Sequence, residues 1–143
     1  MGQTTPPFAT QRVVFFALLM GVLGFAAVVA VVIDQNGGNG LAATPSEGME
    51  TAAIVVGAGL AMASLLVRRR LQANAAQHAG EARAAARFRA TLVPLAMLEG
   101  GSLLGLTTWL QNGRAVPGLV VALVLLSLAI TIVPFTDPDE TRG

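Results

Sequence analysis

The chain has 143 residues, of which 54% are hydrophobic and 12% charged, with a formal net charge of +1 and no Cys. A soluble domain carries roughly a quarter charged residues, so this composition excludes a polar coat around a water-facing globule. The absent Cys rules out disulfides and thiolate metal sites, and so small a net charge implies no nucleic-acid partner. All nine basic residues are Arg and none is Lys, which, beside the abundant Ala and Gly, points to a GC-rich bacterial genome.

The apolar residues are gathered into long runs. A bilayer core of roughly 30 Å needs about 20 residues of helix, with a range of about 17–25. Four stretches qualify: residues 13–33, 52–67, 91–110 and 116–133. In lipid the backbone must satisfy its own hydrogen bonds, so each run is expected to be helical. The fold class is all-α, an integral membrane four-helix bundle in one domain.

The connections read as loops. Asp34-Gln35-Asn36-Gly37-Gly38-Asn39-Gly40 is a chain-breaking polar run. Thr44-Pro45-Ser46-Glu47 is suited to cap a short helix leading into the second span. The third connection, Gln111-Asn112-Gly113-Arg114, is a tight turn, and a polar tail covers 135–143. Arg distribution sets the orientation. Arg68, Arg69, Arg70, Arg83, Arg87 and Arg89 lie between spans two and three, whereas 34–50 holds no Arg and carries Asp34, Glu47 and Glu50. Both termini and the 68–90 segment are therefore expected in the cytoplasm of a plasma (inner) membrane. A rival reading makes span one a cleaved signal peptide, but its apolar run far exceeds the 7–15 residues of a signal core.

An internal repeat is visible. Ala17-Leu18-Leu19-Met20-Gly21 aligns with Ala96-Met97-Leu98-Glu99-Gly100, and both spans end in Gln-Asn-Gly, at Gln35-Asn36-Gly37 and Gln111-Asn112-Gly113. This pattern suggests two tandem helical hairpins, as in transporters built from parallel repeats. The alternative is chance likeness between two Ala/Leu/Gly-rich helices.

Glu99 stands in the third span, where the first has Met20. An acid near a helix centre costs about 2.5–3.5 kcal/mol on insertion scales and usually faces a bundle interior or a wet cavity. At 1.5 Å per residue it lies roughly 12 Å from the start of its span. On a helical wheel it shares a side with Ser102, Leu103 and Leu106. Gly101 and Gly105 lie on another side, a Gly-x-x-x-Gly pair that permits close backbone approach. Span two offers Ala53, Gly57 and Ala61 as a matching ridge. Spans two and three are therefore expected to pack through these faces, leaving Glu99 to point toward span one, span four or another subunit. Its candidate partners are Ser102, Ser64 and Thr107. One reading makes Glu99 a packing device; the other makes it a proton or cation site.

Arg89-Ala90-Thr91 followed by Leu98-Glu99-Gly100 and Leu103-Leu104-Gly105 resembles the carboxylate helix of the proteolipid c subunit of rotary ATP synthases. That likeness covers about 40 residues and implies that Glu99 carries a proton. The long alternating glycine run and the short polar loop of that family are missing here, and spans flank the pair on both sides. The chain is also similar to small, uncharacterised four-span bacterial membrane proteins that share a Leu-Glu-Gly in the third span and a short Pro-containing tail, a grouping that brings no activity with it.

The 68–90 segment is Ala/Arg-rich and helix-favouring, with Gly80 placed to divide it into extensions of spans two and three. Its Arg residues either bind anionic lipid headgroups, at about 1 kcal/mol each near the surface, or simply set topology. His78 is alone, so no metal site is expected. Trp109 suits an interfacial anchor, and Pro94 is expected in the first turn of its span, where Pro is tolerated. No nucleotide loop, nucleophile arrangement or paired carboxylate is present. The expectation is a non-enzyme without cofactor, structural or accessory to a membrane assembly, with the bilayer, a homo-oligomer or a membrane protein as partner. The alternative is a proton- or cation-translocating subunit acting through Glu99.

Overall fold

A computed structural model describes residues 8–133, and the polar tail read at 135–143 lies outside them. Four helices follow in order: α1 (Phe8–Gln35), α2 (Glu47–Ala76), α3 (Gly80–Asn112) and α4 (Gly118–Ile132). The fold is all-α, and α1, α2 and α3 are each long and apolar enough to cross a membrane. The fourth helix has 15 residues, about 22 Å at 1.5 Å per residue, and falls short of that length.

The longest helix, α3, is the axis of the bundle, with α1, α2 and α4 all packed on it. Phe15 clusters with Leu95, Val22 and Val29 share a cluster with Leu106, and Gly21 stands beside Glu99, so α1 runs parallel to α3. The other two helices are antiparallel to it: Leu60 of α2 meets Gly101, and Gly118 of α4 meets Gly105. The attachment of α1 is a narrow seam of Phe15, Val22 and Val29. Seven-residue spacing of buried positions keeps one edge of a helix on its neighbour. The remaining surface of α1 and α2 exposes Phe16, Val28, Ile54, Val55, Met62 and Leu66, the kind of face a hydrocarbon solvent accepts.

In packing, the two halves of the sequence repeat are not equivalent. Helices α3 and α4 form a close hairpin, whereas α1 and α2 do not approach each other. The three neighbours of α3 thus cover three of its sides. The fourth side, between α1 and α2, leaves Val93, Ala96 and Gly100 exposed.

The polar turns build both ends of the bundle. At one end Asn36 Nδ2 donates to the carbonyls of Asn39 and Gly40, at 3.1 and 2.9 Å. The folded loop then donates Leu41 N–H to Leu110 O and Ala42 N–H to Gln111 O, both at 2.9 Å. Those are final carbonyls of α3 that have no partner within the helix. Ser46 caps α2 directly, accepting from Met49 N–H, so no separate short helix precedes the second span. Gly113, at φ 72°, ends α3 in the left-handed region and donates to Trp109 O at 2.8 Å.

At the arginine-rich end, α2 runs on to Ala76 and α3 starts at Gly80, so nearly all of 68–90 is helix. Pro94, expected in a first turn, therefore sits well inside α3 and is buried. It withholds one N–H from the helix ladder, a defect membrane helices tolerate where neighbouring groups compensate. Arg83 Nε donates to His78 O at 2.7 Å and its Nη2 to Ala76 O at 3.4 Å, capping the end of α2. Arg83→Ala should speed amide exchange at 74–78 several-fold while lowering global stability by only about 0.5–1 kcal/mol, since these bonds are solvent-exposed.

Candidate functional site

Glu99 is half-buried on the side of α3 that faces α1. A Cβ placed on Gly21 would lie 3.6 Å from Glu99 Oε1, so the missing side chain on α1 makes room for the carboxyl. Toward the uncovered side of α3, nothing lies within 4 Å of where a Cβ on Gly100 would sit. The acid therefore stands at the rim of the lateral cleft between α1 and α2, next to a glycine that keeps the floor low.

No hydroxyl meets it. Ser102, fully buried, donates to Leu98 O at 2.9 Å and lies 3.3 Å from Ala122 O of α4. Ser64 donates to Ala61 O at 2.8 Å, and Thr107 to Leu103 O at 2.8 Å. All three expected partners are committed to backbone carbonyls, mostly of their own helix, as Ser and Thr inside helices commonly are. Among the described residues Glu99 has no hydrogen bond or ion pair.

The small residues are used differently from the sequence expectation. Gly105 packs on α4: a Cβ there would lie 2.6 Å from Gly118 O and 3.0 Å from Ala122 N. Gly57 of α2 also faces α4, at Val121 Cγ1. Gly101 does join α2 to α3, with Leu60 of α2 and Leu125 of α4 converging over it, and Ala61 is packed against the cluster around Leu98. The physical reason is position around the axis: Gly105 lies on the α4 side of α3, and a turn of only a few residues returns α4 to that side. Van der Waals contact between close backbones then holds the pair.

The basic residues separate into roles. Arg83 caps α2, Arg69, Arg70 and Arg89 are exposed, and Arg68 and Arg87 are half-buried. Arg68 Nε is enclosed without a hydrogen-bond partner among the described residues.

Asn112, which the sequence reading placed only in a turn, joins the loop to the bundle. Its Oδ1 accepts from Ser46 N–H at 3.0 Å. Its Nδ2 donates to Ser46 O and to Glu50 Oε1, both at 3.1 Å. It is buried, and in sequence it is indistinguishable from Asn36 of the matching Gln-Asn-Gly, which is exposed and bonds only within its own loop.

No family model matches the chain, and neither a curated protein nor a solved structure matches it.

Proposed function

We propose that this protein is a non-catalytic accessory of a membrane assembly, one that receives a partner's transmembrane segment along the open side of α3. The observation that carries this reading is the lateral cleft between α1 and α2, with Ala96 and Gly100 exposed on its floor and the unpartnered Glu99 at its rim. A carboxyl group in hydrocarbon gains from any donor brought to it, and a floor of small residues lets a second helix come close. The topology that accompanies this reading has four spans in the inner membrane, with both termini and the arginine-rich end cytoplasmic. Reporter fusions at Arg69 and Asn39 should fall on opposite sides.

The test uses the open floor. Gly100→Leu meets nothing within 4 Å at its first carbon, so the monomer should fold normally. The same change should abolish cross-linking from a Cys introduced at Ala96, in a chain that has no native Cys. Undiminished cross-linking in the Gly100→Leu background would remove the docking reading.

A second reading is favoured by the same lack of any partner for Glu99: the carboxyl takes up and releases a proton or cation, as the resemblance to the proteolipid c subunit implies. Glu99→Gln distinguishes the two. Proton flux into vesicles should stop under the second reading and stay unchanged under the first.

A further inference from the structure

Beyond the apolar run, α2 and α3 continue side by side as antiparallel arms, and a cavity of about 320 Å³ lies along their seam. That volume is at the lower end of the roughly 300–1,000 Å³ typical of small-ligand pockets. The arm of α2 contributes Leu71 and Asn74, the short connection after it His78, and the arm of α3 three alanines and Arg89. Two properties of this lining matter. Every charged or titratable group in it is basic, with no carboxylate. The rest of the wall, Leu71 with Ala82, Ala85 and Ala86, is apolar.

The polar groups are available. His78 Nδ1 donates to Asn74 O at 2.9 Å, which fixes the ring and leaves Nε2 without a partner among the described residues. The Arg89 guanidinium is exposed and has no hydrogen bond or ion pair among the described residues. Position supplies the remaining argument. The apolar run of α2 ends at Val67 and that of α3 begins at Thr91, so Leu71 and Arg89 stand at the level where headgroups begin. His78 lies farther out, just past the end of α2 at Ala76. Arg68, Arg69 and Arg70 precede the groove on α2 and add positive potential at the same level.

We infer that this groove holds the phosphate headgroup of an anionic phospholipid from the leaflet on the arginine-rich side. Arg89 pairs with the phosphate in the two-pronged geometry that guanidinium favours. Asn74 and His78, farther from the membrane, face the polar end of the headgroup beside Ala82 and Ala85, and Leu71, nearest the apolar run, covers its glycerol. A free phosphate ion shares the anionic chemistry but has no use for a mostly apolar wall.

The experiment places the full chain in nanodiscs of phosphatidylcholine carrying a minor fraction of phosphatidylglycerol and counts retained lipid by native mass spectrometry. Phosphatidylglycerol should stay bound after extraction, and Arg89→Gln should reduce its retention about fivefold, the factor that corresponds to about 1 kcal/mol per Arg. Ala82→Leu fills the groove without altering charge and should reduce retention at least as much. Arg114→Gln, at the opposite end of α3, should leave it unchanged. Should Arg89→Gln fail to fold, Ala82→Leu decides alone. Wild-type retention in Ala82→Leu overturns the proposal, because the attraction would then be general surface charge. Displacement of phosphatidylglycerol by millimolar inorganic phosphate overturns it in favour of a soluble anion.

Discussion

Replacing Gly105 with Ala should lower the unfolding midpoint of the detergent-solubilised protein more than an added methyl at Gly57 or Gly101, whose close neighbours are side-chain ends. The methyl carbon would arrive 2.6 Å from Gly118 O, 3.0 Å from Ala122 N and 3.3 Å from Ala122 Cβ. The first two are backbone atoms of α4 and cannot rotate away, so the helices must separate. Gly118 faces the same difficulty from the other side, 2.6 Å from Gly105 O and 2.8 Å from Trp109 N. Overpacking of this kind costs about 1–3 kcal/mol. In lipid no hydrophobic gain opposes separation, because tails solvate α4 as well as α3 does. Ser102 loses its second contact, to Ala122 O, as α4 moves out. Gly105→Leu should therefore release α4 from the bundle. Gly24→Ala provides the control, since nothing lies within 4 Å there and replacing Gly inside a helix stabilises by roughly 0.5–1 kcal/mol. Equal midpoints for Gly105→Ala and Gly24→Ala, followed by circular dichroism, would show that α3 and α4 are not held through this pair.

Asn112→Asp should uncouple the 36–46 loop from the bundle, and should do so more completely than Asn112→Ala. Asparagine both accepts and donates at this position: it takes the Ser46 N–H and gives to Ser46 O and Glu50 Oε1. Aspartate keeps the first bond, but it sets a carboxylate oxygen against a carbonyl and against a second carboxylate where two donations had been. Alanine only removes the bonds, leaving Ser46 and Glu50 near enough to the surface to find water. A buried group left unsatisfied costs about 1–3 kcal/mol, and more when charged. The expected order of stability is wild type, then Ala, then Asp. Amide exchange at Leu41 and Ala42, whose N–H groups cap α3, should quicken in the same order. Asp matching wild type in that exchange would mean the loop is held by something other than this side chain. Gly40 provides a second route to the same result, because a Cβ there would run into Gln111 O, Gly113 N and Asn112 C.

Sequence patterning alone reads a helical membrane protein and where its four helices run. Long apolar runs force the backbone to pair within each segment, and that constraint needs no neighbour. It also picked out Glu99, because an acid in such a run is costly wherever the other helices stand. Tertiary structure decided everything that depends on who stands beside whom. Gly101 and Gly105 read as one Gly-x-x-x-Gly ridge, yet the nearest atoms to one belong to α2 and α4 and those to the other to the α4 backbone and Ala122. Two Gln-Asn-Gly turns read alike, yet Asn36 is exposed and Asn112 holds a loop across 66 residues. A repeat in the sequence records how two segments resemble each other, not whether each finds a partner. With hydrocarbon solvating every apolar face equally well, only close backbone approach and a few polar contacts select the neighbours. Those depend on the rotation of each helix about its axis, which span length and composition leave open.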